Sequence, residues 1–130
     1  MKYRILIADD EAKIRGVMSL LLEEAGYQVR AVEHGAEAVD ALVSFDPHIV
    51  LLDYQMPVLS GIEALERIKL LNSSQTVIMI TAFGSVSLVV EAIKKGAYDF
   101  IEKPFDNDKL LLTIQRAVDH TGLKDEVKEL

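Results

Sequence analysis

Cysteine is absent from the 130-residue chain. Its absence excludes disulfide bonds, thiolate catalysis, and zinc or iron–sulfur sites with cysteine ligands. Positive charge is scarce as well, because 14 Lys and Arg stand against 21 Asp and Glu, giving a net charge of −7. Such an acidic chain is not expected to bind the phosphate backbone of nucleic acids directly, although a DNA-binding domain attached elsewhere is compatible with it.

Long hydrophobic runs are also lacking. No apolar stretch approaches the roughly 18 residues that a membrane-spanning helix needs. The first apolar run, in "YRILIADDE", leads directly into acidic residues and does not resemble a signal peptide. We therefore expect a cytoplasmic protein without membrane contact, built as one domain around its own core.

Short apolar runs alternate five times with segments of helical periodicity. The strand-like runs are residues 3–8, 27–32, 48–53, 76–81 and 99–102. The helical segments are residues 12–26, 35–45, 61–71 and 86–96, and a last one from near Asp106 past Val118. Ser60 and Glu63 form a capping-box pattern before the third helix. Gly26 and Gly96 stand where helices commonly end.

Five strand–helix repeats in so short a chain predict a parallel sheet, because the helices supply the crossovers that parallel strands require. The fold class expected is α/β, a doubly wound (βα)5 domain of the flavodoxin-like type with strand order 2-1-3-4-5. In this order strands 1 and 3 are neighbours. Their carboxyl ends meet at the point where such folds place their sites.

Acidic, hydroxyl and basic side chains lie at the carboxyl ends of the predicted strands. Strand 1 runs into "ADDE", which contains Asp9 and Asp10, and strand 3 ends on Asp53. Three carboxylates this close repel one another, so either their pKa values rise or a cation joins them, and oxygen-only ligands favour Mg²⁺. Taken singly, each Asp is explained as well by a helix N-cap. Thr81 and Lys103 end strands 4 and 5 at the same edge.

The loop after strand 1 argues against two other nucleotide- or phosphate-handling classes. It reads "DDEA" and offers carboxylates where dinucleotide-binding and P-loop proteins place glycines, so it would repel a phosphate. A haloacid-dehalogenase-type phosphatase also uses an aspartate nucleophile with Mg²⁺. It normally carries a second aspartate two residues later, where this chain has Gln55.

The motifs "ILIADDE", "LLDYQMPVLSGIEALERIK", "VIMITAFG" and "GAYDFIEKPF" occur in this order along residues 1–120. Together they resemble the receiver domain of two-component response regulators. The resemblance implies that Asp53 accepts a phosphoryl group from a sensor histidine kinase. It also implies that Mg²⁺, with Mn²⁺ as a substitute, is bound by Asp10, Asp53 and the backbone carbonyl of Gln55, and by Asp9 through a water.

The same resemblance assigns the remaining site residues. Lys103 would hold the phosphoryl oxygens, together with the Thr81 hydroxyl and the Ala82 backbone N–H, and the Lys103–Pro104 bond would be cis. Thr81 and Phe100 would form the switch. The alternative for Phe100 is a core residue, and Phe100 replaces the tyrosine of many relatives.

The switch would change the surface of helix 4, strand 5 and helix 5, about residues 86–119. Gln55 and Phe83 stand at positions that tune the lifetime of the phosphorylated state, and a bulky Phe83 would shield it from water.

The C-terminal residues 121–130 carry an apolar stripe at Leu123, Val127 and Leu130. They are expected to begin a linker or dimerisation helix, or to form a frayed tail. With "GAYDFIEKPF", this segment resembles receivers of NtrC-type transcriptional activators, which would dimerise through this helix or the residue 86–119 surface. DNA would then be bound only by output domains absent from the chain.

Three other functions stay open from the sequence. One is a stand-alone receiver that acts by protein binding, and a second is a degenerate receiver that is never phosphorylated. The third is a Mg²⁺-dependent phosphatase, an enzyme with turnover, whereas a receiver catalyses only its own phosphorylation and slow dephosphorylation.

Overall fold

The computed structural model describes residues 2–56, 58–82 and 86–129 of the chain, with side chains up to residue 122. Within these residues, five strands alternate with five helices. The strands are β1 (Arg4–Ala8), β2 (Gln28–Val32), β3 (Ile49–Asp53), β4 (Thr76–Ala82) and β5 (Asp99–Lys103). The helices are α1 (Ala12–Glu24), α2 (Gly35–Phe45), α3 (Gly61–Leu71), α4 (Val86–Lys94) and α5 (Asn107–Glu129).

The strands form one parallel sheet in the order β2-β1-β3-β4-β5, which confirms the predicted fold class. Central β3 is buried along its whole length, as its unbroken apolar sequence predicts. Edge strand β2 contains no fully buried residue, in agreement with its alternating sequence. The carboxyl ends of β1 and β3 are therefore adjacent at the switch point of the sheet.

Helices cover both faces of the sheet, and each face has its own hydrophobic core. On one face, side chains such as Leu52 and Met79 pack with α2, α3 and α4. On the other, side chains such as Leu51 and Ile80 pack with α1 and α5. Because successive strand residues point to opposite faces, the position of a residue along a strand decides which helices it meets.

Most element ends follow the predicted signals. The capping box is formed, with the Glu63 N–H donating to Ser60 Oγ at 3.2 Å and the Ser60 N–H donating to Glu63 Oε1 at 3.4 Å. Gly26 has a φ of +100°, which glycine tolerates better than any other residue. Strands β4 and β5 each run one residue further than predicted, because Ala82 and Lys103 pair in register.

Helix α5 continues beyond the predicted domain boundary at residue 120. Thr121 contacts the body of the domain, because its hydroxyl shares a 2.9 Å hydrogen bond with that of Thr76 at the start of β4. The His120 ring stacks on Tyr98, with centroids 4.5 Å apart. The predicted stripe of Leu123, Val127 and Leu130 lies outside the described side chains. Among the residues the structure describes, no helix is long and apolar enough to cross a membrane.

Candidate functional site at the carboxyl ends of the strands

Three charged residues of the candidate site point to the same face of the sheet, the one covered by α1 and α5. Asp9, Asp53 and Lys103 each lie two residues beyond a core residue of that face, namely Ile7, Leu51 and Ile101. The period-two alternation of β-strands therefore carries all three side chains to one side of the sheet edge. Strand order then brings them together, although they are separated by up to 94 residues in sequence.

The ammonium of Lys103 is the centre of this group. Its Nζ lies 3.0 Å from Asp9 Oδ2, 3.4 Å from Asp53 Oδ2 and 3.1 Å from Glu11 Oε1. Asp9 is fully buried and Asp53 is 5% exposed. Lys103 thus neutralises part of the charge of two buried carboxylates that could not share the site without a cation.

One lysine does not offset the burial of Asp53. Desolvation and the charge of Asp9 raise the pKa of Asp53 to about 7, although Lys103 and the backbone N–H of Gln55 act in the opposite direction. Burial lowers the pKa of Lys103, but its hydrogen bonds to Asp9 and Glu11 outweigh burial, so the pKa is raised overall. The site therefore favours a further cation over a further anion.

The donor set fits a hard divalent cation. Asp9, Asp10 and Asp53 each offer a carboxylate oxygen, and these oxygens lie within 4.8 Å of one another. Asp10 is exposed whereas Asp9 and Asp53 are buried, so the cluster opens to solvent through Asp10. Carboxylates with access for water are the ligands that Mg²⁺ prefers.

Thr81 and Phe100 point to the opposite face of the sheet. Thr81 lies two residues after Met79 and Phe100 pairs with Met79 in register, and Met79 and Phe100 pack on the α4 side. The Thr81 hydroxyl is buried and finds no hydrogen-bond partner among the described residues. Since an unpaired buried hydroxyl is costly, Thr81 is suited to accept a new partner. Half-buried Phe100 packs against the core, as its alternative interpretation predicted.

A cavity of about 660 Å³ opens over the site. Its lining includes Asp10, Asp53, Gln55, Ala82 and Lys103, so five residues singled out in the sequence share one space. The Lys103–Pro104 peptide bond at its rim is cis, as the resemblance implied. Phe83 lies outside the described residues.

The loop between β3 and α3 is held against the phosphoacceptor candidate. The Gly61 N–H donates to the Tyr54 carbonyl oxygen at 2.9 Å. A Cβ on Gly61 would collide with the backbone carbonyl oxygen of Asp53, so this close return needs glycine. Met56 and Leu59 are buried inside the loop, which fixes the backbone that follows Asp53.

Glu11 is the site residue that the sequence analysis missed. It ends the "ADDE" run, and its carboxylate is the third one on Lys103, while its N–H donates to Asp9 Oδ1 at 2.9 Å. The signal available in the sequence was a third acid beside Asp9 and Asp10. That signal does not distinguish a solvated glutamate from one paired with a lysine 92 residues away.

Comparison with known proteins agrees with this geometry. Residues 5–115 match the response regulator receiver domain family, and the chain therefore belongs to that family. It is 40% identical to the chemotaxis protein CheY of Bacillus subtilis over 119 residues, which cover 91% of this chain and 99% of CheY. It is 36% identical to the regulatory protein AtoC of Escherichia coli over 127 residues, which cover 98% of this chain and 28% of AtoC.

Among solved structures, the crystal structure of NtrX from Brucella abortus superposes with a TM-score of 0.94 at 37% identity. The match covers 99% of this chain and 29% of the NtrX chain. The chain thus spans less than a third of the length of AtoC and NtrX, which are relatives of the NtrC type. It is a receiver domain, the phosphorylation-dependent signalling switch of response regulators, and receiver domains are not conventional turnover enzymes.

Proposed function

We propose that Asp53 is the phosphoacceptor of this receiver domain and takes its phosphoryl group from a phosphohistidine of a sensor histidine kinase. The observation that carries the proposal is the placement of a buried carboxylate at the end of β3, 3.4 Å from the Lys103 ammonium and open to a cavity. An Asp53 carboxylate oxygen attacks phosphorus as the bond to the donor imidazole nitrogen breaks. The imidazole keeps the electron pair of that bond, and an acyl phosphate forms.

The acidic cluster supports a Mg²⁺ requirement for this transfer. Asp10, Asp53 and the Gln55 backbone carbonyl would hold the ion directly and Asp9 through a water, with Mn²⁺ able to replace it. The bound ion supplies positive charge that offsets the charge developing as one anion approaches another. It would also favour the ionised form of Asp53, whose pKa of about 7 otherwise leaves it partly protonated at neutral pH.

The chain's own groups complete the phosphoryl site. Lys103 offers its ammonium to the phosphoryl oxygens, because it already lies against the Asp53 carboxylate. The Thr81 hydroxyl, which has no partner within the described residues, offers a hydrogen bond. The backbone N–H of Ala82 would donate another from the rim of the cavity.

Phosphorylation is proposed to act through Thr81 and Phe100. The two side chains share the sheet face covered by α4, so a shift of Thr81 toward the phosphoryl group leaves space on that face. Phe100 would turn into this space and change the surface formed by α4, β5 and the first part of α5. Gln55 and Phe83 would set the lifetime of the adduct.

The output is proposed to be transcription in a longer protein of the NtrC type, with the receiver acting in the cytoplasm. Two features support this: the similarity to AtoC and NtrX, and the helical course of α5 through residues 121–129, which would begin a linker or dimerisation helix. Homodimers would form through that helix or the α4–β5–α5 surface, and DNA would be bound by other domains. The alternative is a stand-alone receiver. The match to CheY of Bacillus subtilis supports it, because the aligned region covers 99% of that protein.

Intact-protein mass spectrometry tests the proposal. The chain is incubated with acetyl phosphate and Mg²⁺ beside Asp53→Asn and beside Asp40→Asn, which makes the same charge change at an exposed position of α2. One phosphoryl adduct is expected in the wild type and in Asp40→Asn, and none in Asp53→Asn or with a chelator. An adduct that persists in Asp53→Asn, or multiple turnovers without an adduct, would contradict the proposal.

A further inference from the structure

The Lys103 ammonium already faces three carboxylates before any phosphoryl group arrives. It has three N–H donors and lies within 3.4 Å of three carboxylates, those of Asp9, Glu11 and Asp53. A phosphoryl group on Asp53 adds further oxygen acceptors beside the same ammonium. The phosphoryl oxygens therefore compete with these carboxylates for the ammonium when Asp53 is phosphorylated.

The three carboxylates differ in how freely they can leave. Asp9 is fully buried, and its other oxygen accepts the Glu11 N–H at 2.9 Å, so its position is fixed. Asp53 itself carries the incoming group. The Glu11 side chain is 57% exposed, and its carboxylate can turn into water without an unpaired charge being left in the protein.

We propose that Glu11 is a positioning residue that holds the Lys103 ammonium in the resting domain and releases it to the phosphoryl group. The inference rests on the proposed function of Asp53. Glu11 then opposes phosphorylation in two ways: its carboxylate competes with the phosphoryl oxygens for Lys103, and its negative charge repels them. Glu11 thereby lowers the affinity of the site for the phosphoryl group.

The exchange of partners by Glu11 also affects the start of α1. Glu11 is the N-cap residue of that helix, yet its side chain makes no capping hydrogen bond because it is turned toward Lys103. Release from Lys103 frees the carboxylate for the backbone N–H groups of the first turn, where negative charge is favourable. The exchange thus changes the end of α1 next to the cavity.

The test measures the binding of beryllofluoride, a stand-in for the phosphoryl group that forms no transferable bond. Thermal shift is used to titrate it at a Mg²⁺ concentration that saturates each variant, as shown by a separate Mg²⁺ titration. The variants are Glu11→Gln and a matched control, Glu66→Gln, which removes the same charge and a 2.9 Å contact with Lys95 away from the site. Saturation with Mg²⁺ keeps a change in metal affinity out of the comparison.

Glu11→Gln is expected to bind beryllofluoride about two- to fivefold more tightly than the wild type, the range of a partly exposed ion pair. Glu66→Gln should match the wild type. Equal or weaker binding by Glu11→Gln, with the wild type forming its Asp53 adduct, would overturn the role of Glu11 alone. A wild type that takes up neither beryllofluoride nor a phosphoryl group would overturn the proposed function, and this inference with it.

Discussion

Lys103 Nζ at the end of β5 lies 3.4 Å from Oδ2 of Asp53 at the end of β3, with strand β4 between the two strands. The contact joins the candidate phosphoacceptor to the one cationic side chain that lies against it among the described residues.

 The charge of Lys103 does not offset the burial of Asp53, whose pKa stays raised to about 7. The resting site is therefore short of positive charge, and the predictions on pH and on Mg²⁺ follow from this shortage.

Asp53 should make the stability of the metal-free domain depend on pH. Burial and Asp9 raise its pKa from 3.8 to about 7, so between these values the folded chain holds a proton that the unfolded chain has lost. Stability from this group is present at low pH and falls as pH rises toward 7. The expected loss is roughly 1 to 3 kcal/mol, which Asp53→Asn should remove. Urea unfolding in chelator at several pH values measures it, and equal pH slopes for the two proteins would contradict it.

Mg²⁺ should stabilise the folded domain, because Asp9, Asp10 and Asp53 come together only when the chain is folded. For millimolar affinity and tens of millimolar metal, the gain is expected to stay under about 2 kcal/mol. Thermal melts with Mg²⁺, and with NaCl at matched ionic strength, measure the shift. Asp10→Asn should abolish it, and melts of the wild type that overlay with and without Mg²⁺ would refute the metal site.

The hydroxyl pair of Thr76 and Thr121 should behave as a coupled unit. Their oxygens lie 2.9 Å apart in a buried position that joins β4 to the second half of α5. Thr76→Val or Thr121→Val alone leaves one buried hydroxyl unpaired and should cost about 1 to 2 kcal/mol, whereas the double variant should cost less than the sum. Chemical denaturation of the four proteins gives the coupling. Additive losses would show that the hydrogen bond does not anchor α5.

Val58 should be replaceable by glycine with a gain in stability. Its φ is +68°, a region that disfavours a β-branched residue, and its side chain is 98% exposed, so no packing is lost. Val58→Gly is expected to stabilise the domain by about 1 kcal/mol in urea unfolding. Val43→Gly, at an exposed position within α2, should instead destabilise it by a similar amount. A lower urea midpoint for Val58→Gly would contradict the strain at this position.

The order of the strands and the meeting of Asp9, Asp10 and Asp53 could be predicted, because both depend on periodicity and on the rules of parallel sheets. Strand β3 is the clearest case, since an unbroken apolar run ending on Asp53 fits only a buried central strand with a charged tip. The contact of Glu11 with Lys103 could not be predicted, because it depends on side-chain conformation rather than on strand order.

Two backbone features also escaped the sequence analysis. A positive φ at Val58 has no local signal, since valine disfavours that conformation, and the residue lies in a loop whose Met56 and Leu59 side chains are buried. The contact of α5 with the domain past residue 120 includes a hydrogen bond between two threonines, Thr76 and Thr121, that are 45 residues apart. Neither residue stands out in the sequence.

The central claim is that Asp53 carries the phosphoryl group, and chemical mapping of the adduct tests it most directly. Borohydride reduces an aspartyl phosphate to homoserine, which peptide mass spectrometry then locates in the chain. The chain is treated with acetyl phosphate and Mg²⁺, reduced and digested. We predict homoserine at position 53 alone. Homoserine at position 9 or 10, or an adduct that resists borohydride and maps to a histidine, would contradict the account.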